Sequence, residues 1–271
     1  MINFLHTFNP EPVLLSIGVF KIYWYGLFIV IGILLGMMTG VKLAEKYRIS
    51  KDFLIDSVFY AVIAGIIGAR IYHVLLELPY YSNNPLAIFK IWEGGLAIHG
   101  ALIAGIAAIL LFAKKRKNDP WVIFALYAPA MALGQAIGRW GNYFNQELYG
   151  RPTNLPWGIP IEPVNRQLSH YTAEYFHPAF LYESLGNLLI FILLLLWHRQ
   201  IIKNKETANP KIIVFAYLIM YSFLRFFTEF IRIDPTPEFF GLRVPQIASL
   251  FIIAFAGLYL LKITKKTALE K

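Results

Sequence analysis

The stretch WVIFALYAPAMALGQAIGRWGNYFNQELYG, residues 121–150, joins an apolar run directly to a polar segment. At about 1.5 Å per helical residue, the run at 121–138 nearly crosses the ~30 Å hydrocarbon core of a bilayer. The segment at 138–150 then places a guanidinium, amides and a carboxylate at the edge of that run. Charged groups at membrane depth are costly and usually face a cavity, a partner or a substrate. The alternative interpretation is a polar loop that caps a membrane helix.

The rest of the chain has the same apolar character. Its 271 residues are 58% hydrophobic and 15% charged, whereas soluble domains carry about 25% charged residues. The sequence predicts an all-α membrane protein with seven transmembrane helices in a single domain, residues 1–271. The predicted spans lie at about 22–41, 53–76, 95–113, 121–138, 179–197, 212–231 and 244–261. Residues 1–20, interrupted by Pro10 and Pro12, fit a segment that lies along the surface.

The basic residues predict the orientation. Sixteen of the 25 Lys and Arg residues fall in four segments, at 42–51, 114–117, 199–211 and 262–271. By the positive-inside rule these segments are cytoplasmic, so the N-terminus lies outside and the C-terminus lies in the cytoplasm. The long connection at about 139–178, between spans four and five, is then a small external head. The net charge of +9 reflects this topology and attraction to anionic lipid, and no nucleic-acid partner is expected.

Several chemistries are excluded. The chain has no cysteine, so it forms no disulfide, thiolate metal site or cysteine nucleophile. It lacks the G-x-S-x-G and H-E-x-x-H motifs of hydrolases and zinc proteases. No His, Asp or Glu set has metal-ligand spacing, and no glycine-rich nucleotide loop is present. No metal and no cofactor are therefore expected.

With this orientation, the polar side chains of the spans gather in the outer half of the membrane. They are Tyr25, Arg70, His99, Arg139, Asn142, Glu183, Tyr221, Arg225, Glu229 and Arg232. The spacing of the last four predicts that they share one face of span six. A transport pathway would also need polar groups at the midplane and further inward. The pattern therefore favours a pocket that opens towards the outer leaflet.

The arginines favour an anionic ligand for this pocket. Arg225 and Glu229, four residues apart, can neutralise each other as an ion pair. That pairing leaves Arg70, Arg139 and Arg232 at similar depth, and guanidinium groups bind phosphate bidentately. His99 fits either a hydrogen bond to a neighbouring helix or a role as proton acceptor.

These residues belong to motifs that resemble the bacterial phosphatidylglycerol–prolipoprotein diacylglyceryl transferase family. The signature-like segment is residues 138–150. Similar motifs are Trp24-Tyr25-Gly26, GGLAIHG at 94–100, HPAFLYE at 177–183, and the set Tyr221, Arg225, Glu229 and Arg232. The resemblance covers essentially the whole chain in order. It departs at Ala101, where a second glycine is expected.

The resemblance implies an enzyme of the bacterial cytoplasmic membrane whose active site faces the outer leaflet. Such an enzyme transfers the diacylglyceryl group of phosphatidylglycerol to the lipobox cysteine thiol of a prolipoprotein signal peptide. A thioether forms and glycerol phosphate is released, in the first step of lipoprotein maturation. The expected partners are phosphatidylglycerol, the prolipoprotein and membrane lipids. The competing interpretation is an anion or anionic-lipid transporter with the same arginine pocket.

The span analysis and this chemistry together suggest residue roles. His99 is expected to act as the base, and Arg139 and Arg225 to hold the phosphate and its growing charge. Tyr25 and Asn142 would position the headgroup, Tyr221 would orient Arg225, and Glu229 would fix Arg225 or Arg232. The other residues expected in substrate binding are Asn145, Glu147, Gly150, Arg70 and Glu183.

Overall fold

The computed structural model describes residues 2–18, 20–203 and 209–269. Residues 204–208 and 270–271, which belong to two of the predicted cytoplasmic segments, lie outside the described residues. In the described part, the helices are α1 (Ile2–Thr7), α2 (Trp24–Ala44), α3 (Lys51–Leu76), α4 (Leu78–Asn83), α5 (Ile98–Lys115), α6 (Pro120–Phe144), α7 (Ala179–Lys203), α8 (Lys211–Thr228) and α9 (Val244–Leu269). Seven of them, α2, α3 and α5 to α9, are long and apolar enough to cross a membrane. The predicted all-α membrane fold with seven spanning helices is therefore confirmed.

Three short two-stranded antiparallel sheets lie between these helices in the described residues. The first pairs β1 (Val13–Ile17) with β2 (Phe20–Tyr23), the second β3 (Ile159–Pro160) with β4 (Tyr175–Phe176), and the third β5 (Glu238–Phe239) with β6 (Leu242–Arg243). In the third, Glu238 faces Arg243 and Phe239 faces Leu242.

The chain forms two compact units. The first contains residues 1–39 and 127–271, and the second contains residues 40–126. In the first unit α2 and α6 approach closely through small residues: a Cβ on Gly36 would lie 3.2 Å from the Ala130 carbonyl oxygen. Such contacts are typical of membrane helices, where packing replaces the hydrophobic effect.

The connection between α6 and α7 has its own small core in the first unit. Tyr143 and Phe180 stack with ring centroids 4.5 Å apart, and Phe176 is fully buried beside them. Leu5 of α1 is buried in the same cluster. Part of the N-terminal segment thus packs into this core, whereas the sequence indicated only a surface segment. The placement of this connection outside the membrane stays a prediction.

In the second unit, α3 and α5 pack against each other at two glycines. A Cβ on Gly68 would lie 2.6 Å from the Gly100 carbonyl oxygen, so the two helices can approach this closely only without a side chain there. The Ala97 amide also donates to the Ala69 carbonyl oxygen at 3.1 Å. These contacts fix the first turn of α5 against α3.

Candidate active site

The charged side chains of the first unit gather at one end of its helices. Arg139 lies in the last turns of α6, Glu183 in the first turns of α7 and Arg225 in the last turn of α8. Glu229 follows α8 directly, and Arg243 immediately precedes α9. Antiparallel neighbours thus bring residues that are distant in sequence to one level.

Glu183 is the centre of this cluster. It is only 3% exposed, and its carboxylate meets three guanidinium groups. Arg139 Nη2 lies 2.5 Å from its Oε2, whereas Arg232 Nη1 and Arg225 Nη1 lie 3.1 Å and 3.5 Å from its Oε1. One buried carboxylate therefore joins α6, α7 and both ends of the segment from Arg225 to Arg232.

Glu229 is a second buried anion of the cluster. Its Oε2 lies 2.8 Å from Arg225 Nη2, and its Oε1 lies 3.3 Å from Arg243 Nη1. Neither oxygen accepts an aligned hydrogen bond within the described residues. The stabilisation is therefore charge attraction across a short distance rather than directed hydrogen bonding.

Asp234 closes the cluster on the side of the α8–α9 connection. Arg232 donates from Nε to its Oδ1 at 2.7 Å, and Arg243 Nη2 lies 3.5 Å from its Oδ2. Burial alone raises the pKa of Asp234, but the Arg232 hydrogen bond and the nearby arginine charges outweigh it and lower that pKa below its usual range. Asp234 is therefore ionised at neutral pH.

The excess of positive over negative side chains in the cluster is smaller than the sequence of the spans predicted. Arg139, Arg225, Arg232 and Arg243 share the three carboxylates of Glu183, Glu229 and Asp234, which leaves about one net positive charge. The exposure differs among them: the side chains of Arg139 and Arg225 are 19% and 17% exposed, against 5% for Arg232. We call Arg139 and Arg225 the arginine edge, because they are the accessible members.

The signature segment holds Arg139 through a chain of amides. Arg139 donates to Asn142 Oδ1 at 3.2 Å, and Asn142 donates to Glu147 Oε1 at 2.8 Å. Asn145 donates to the same Glu147 oxygen at 3.2 Å. Four of the predicted site residues are thus one hydrogen-bonded group, in which Glu147 fixes both amides.

Gly150 lies where two segments meet. It forms a β-bridge with Arg232, and its amide donates to the His177 carbonyl oxygen at 2.9 Å. A Cβ here would come within 2.6 Å of Ile231 and 2.7 Å of His177. Glycine is therefore required by close packing beside Arg232, and direct substrate contact by Gly150 stays a prediction.

Two predicted tyrosines lie near the arginine edge. Tyr25, 37% exposed, packs on Gly141, where a Cβ would lie 3.1 Å from its Cα. Tyr221 precedes Arg225 by one turn of α8 and stacks on Tyr217 with ring centroids 6.0 Å apart. Their roles towards a headgroup and towards Arg225 stay predictions.

The residues predicted to share one face of span six extend past the end of α8. α8 ends at Thr228, so Glu229 caps it and Arg232 lies beyond it. Arg232 reaches Glu183 because the chain turns after the helix and pairs with Gly150. Helix-like contacts nevertheless continue to Arg232: its amide donates to the Thr228 carbonyl oxygen at 3.3 Å, and its Nε lies 3.8 Å from Glu229 Oε2.

Sequence reasoning did not select three residues that hold the site. Arg243 and Asp234 complete the ion-pair cluster. Gln146 donates to the Pro10 carbonyl oxygen at 2.8 Å and accepts from the Glu162 amide at 2.7 Å. The density of polar residues in the signature segment could have indicated Gln146, but no spacing links Arg243 to Glu229.

An apolar cavity of about 320 Å³ lies between α2, α6 and α7. It is lined by Phe28 of α2, by Leu133, Ala136, Ile137 and Trp140 of α6, and by Ser184 and Leu188 of α7. Trp140 and Ser184 directly follow Arg139 and Glu183 in sequence. Apolar volume lined by residues that adjoin Arg139 and Glu183 in sequence suits the apolar part of an amphipathic ligand.

The comparisons with known proteins agree with the motif resemblance. A family model described as prolipoprotein diacylglyceryl transferase matches residues 12–262. The chain belongs to the prolipoprotein diacylglyceryl transferase family. A phosphatidylglycerol–prolipoprotein diacylglyceryl transferase of Synechococcus elongatus is 42% identical over 92% of this chain and 86% of its own length. Proteins of the same name from a Nostoc and a Synechocystis species are each 42% identical, over 97% and 95% of this chain and 93% and 92% of their own lengths.

Two of the predicted site residues, His99 and Arg70, belong to the second unit. His99 lies in the first turn of α5, exposed, with its ring 6.1 Å from that of Tyr72. Arg70 donates to the carbonyl oxygens of Ala87, Ile88, Lys90, Gly94 and Gly95 at 2.5–3.4 Å. Arg70 thus holds the segment that leads into α5. Substrate binding by Arg70 and base catalysis by His99 stay predictions.

Proposed function

We propose that this protein transfers the diacylglyceryl group of phosphatidylglycerol to the lipobox cysteine of a prolipoprotein. The observation that carries the proposal is the arginine edge: two partly exposed guanidinium groups on a shared buried carboxylate. Membership of the prolipoprotein diacylglyceryl transferase family supports it. We place the reaction at the outer leaflet of the bacterial cytoplasmic membrane, on the positive-inside argument.

The reaction replaces a carbon–oxygen bond by a carbon–sulfur bond. The substrate thiol loses its proton to a base, its sulfur attacks the glycerol carbon, and the electron pair of the broken bond leaves on the phosphate oxygen. The nucleophile comes from the peptide, in keeping with a chain that contains no cysteine. A free thiol has a pKa of about 8.5, so a base or a positive field must assist its ionisation.

The arginine edge suits the leaving group. As glycerol phosphate departs, negative charge grows on the phosphate, and preorganised guanidinium donors stabilise it without rearrangement. Arg139 is preorganised by Glu183 and Asn142, and Arg225 by Glu183 and Glu229. Position along the helices favours this chemistry over transport, because the cluster lies at one end of α6, α7 and α8 rather than along them.

The direct test uses the purified full chain in vesicles that contain phosphatidylglycerol. A lipobox peptide should gain the mass of a diacylglyceryl group, and glycerol phosphate should appear in equal amount. A peptide with serine in place of the lipobox cysteine is the matched control. Movement of lipid or anion across the vesicle wall without peptide modification would overturn the proposal in favour of a transporter.

His99→Gln tests the base. With His99 as proton acceptor, the variant should lose most of its turnover, and the remaining rate should rise with ionisation of the thiol itself near pH ~8.5. His170→Gln, in the α6–α7 connection, is the control and should leave the pH profile unchanged. An unaltered rate and profile in His99→Gln would assign thiolate formation to the positive field of the arginines.

A further inference from the structure

The hairpin between α8 and α9 exposes an aromatic tip. Phe240 is fully exposed and Phe239 is 59% exposed, at the turn that joins β5 to β6. Soluble surfaces carry single exposed apolar residues, but two adjacent phenylalanines at the end of a projecting hairpin are an apolar patch. We define Phe239, Phe240 and Gly241 as the hairpin tip.

The backbone of the tip is unfavourable for the residue it carries. Phe240 and Gly241 have φ angles of 53° and 77°, as in a two-residue turn with both central residues in the left-handed region. Asn-Gly is the usual pair in such turns, and a bulky side chain with positive φ is an outlier. Neither turn geometry nor burial in the protein therefore accounts for phenylalanine at this position.

The position of the hairpin in the chain indicates what surrounds its tip. The hairpin lies between the end of α8 at Thr228 and the start of α9 at Val244, two helices that can span a membrane. Exposed apolar side chains continue from these helices towards it, Phe227 and Phe230 on one side and Val244 on the other. The connection between two spans lies at the membrane surface, where aromatic rings are enriched.

We propose that the hairpin tip is immersed in the interfacial region of the lipid bilayer. Lipid then solvates Phe239 and Phe240, which water would otherwise contact. The base of the hairpin is Arg243, which donates to the carbonyl oxygens of Glu229 and Arg232 at 3.2 and 3.1 Å. Immersion of the tip thus sets the position of the ion-pair cluster relative to the lipid surface.

The absence of cysteine makes the test direct. Phe240→Cys is labelled with a nitroxide in the full chain in vesicles of phosphatidylglycerol and phosphatidylethanolamine. Its collisions with oxygen, which concentrates in lipid, and with a water-soluble nickel complex are measured by electron paramagnetic resonance. Ser169→Cys, exposed on the α6–α7 connection, is the control. The ratio of oxygen to nickel collisions should be several-fold higher at position 240 than at position 169.

A second pair of variants separates immersion from the turn itself. A nitroxide on Phe239→Cys should report lipid in the presence of Phe240 and water after Phe240→Asn, which fits the turn but not the bilayer. Equal nickel access at positions 240 and 169 would overturn the proposal. So would a label at 240 that becomes shielded only when a lipobox peptide is added, because the tip would then be a peptide-binding surface.

Discussion

Arg70 in the second unit and Arg232 in the first are both nearly buried, 8% and 6% exposed, but they meet different acceptors. The donors of Arg70 end on neutral backbone carbonyl oxygens. Arg232 contacts the carboxylates of Glu183 and Asp234, which it shares with partly exposed arginines. Burial depth alone therefore does not identify an anion site. The proposed anion site differs from the Arg70 site in two ways: its arginines meet carboxylates, and two of them, Arg139 and Arg225, are partly exposed.

Of the changes considered, removing the charge of Glu183, the carboxylate that three arginines share, should have the largest effect. Glu183→Gln keeps the shape of the side chain but leaves three guanidinium groups without their common charge. Breaking a buried ion pair costs about 3–5 kcal/mol. We expect a loss of that size in unfolding free energy, measured by thermal or denaturant unfolding in micelles, together with loss of turnover. Glu174→Gln, at an exposed glutamate, is the control, and equal stability of the two variants would contradict a central role for Glu183.

Arg139→Ala should come next, and it should act on turnover. Loss of one preorganised donor to a developing charge lowers kcat by about 10²–10³-fold. The matched variant is Arg151→Ala, which removes an exposed arginine from the following connection. Turnover in the peptide assay should separate the two variants strongly. The unfolding temperature of Arg139→Ala should fall less than that of Glu183→Gln, because Glu183 keeps Arg225 and Arg232. Near-normal turnover in Arg139→Ala would exclude Arg139 from the mechanism.

Arg70→Gln should lower stability more than it lowers turnover, the opposite of Arg139→Ala. Several carbonyl oxygens at 87–95 lose their donor, and each unsatisfied buried group costs about 1–3 kcal/mol. We expect faster amide hydrogen exchange in that segment and lower stability, with Lys90→Gln as an exposed control. An unchanged exchange rate combined with a higher KM for phosphatidylglycerol would instead support the predicted substrate-binding role of Arg70.

Replacing Asp234 should have the smallest effect on stability, and it should be visible in how the stability depends on pH. Its pKa is lowered in the folded chain, so its stabilising contribution is complete above its unfolded pKa of about 3.9 and is lost as the pH falls further. The native chain should therefore lose more stability than Asp234→Asn does as the pH falls below about 3.9. Asp234→Asn should already be less stable at pH 7. Parallel pH profiles for the two chains would contradict the Arg232–Asp234 pairing.

The spans were predictable because twenty-residue apolar runs have few alternatives in a chain of this composition. The signature at 138–150 was predictable because dense polar residues at a span end are costly without a purpose. Arg139, Asn142, Asn145 and Glu147 indeed form one hydrogen-bonded group.

Long-range pairing was not predictable in the same way. Arg243 meets Glu229 because the α8–α9 connection folds back as a hairpin, and neither hydropathy nor helical spacing encodes that return. The end of α8 at Thr228 was also missed. Phe230 and Ile231, which follow it, are apolar and extended the predicted span to about residue 231.

The position of Glu183 has one more consequence. In the proposed reaction, a phosphate that approaches Arg139 and Arg225 would compete with the Glu183 carboxylate, which already contacts both guanidinium groups. The grip on a lipid headgroup is then the difference between two attractions rather than the full strength of either. A lipid that is itself a bulk component of the bilayer would need no tighter hold, and the Glu183 carboxylate would regain its full attraction to both guanidinium groups when glycerol phosphate leaves.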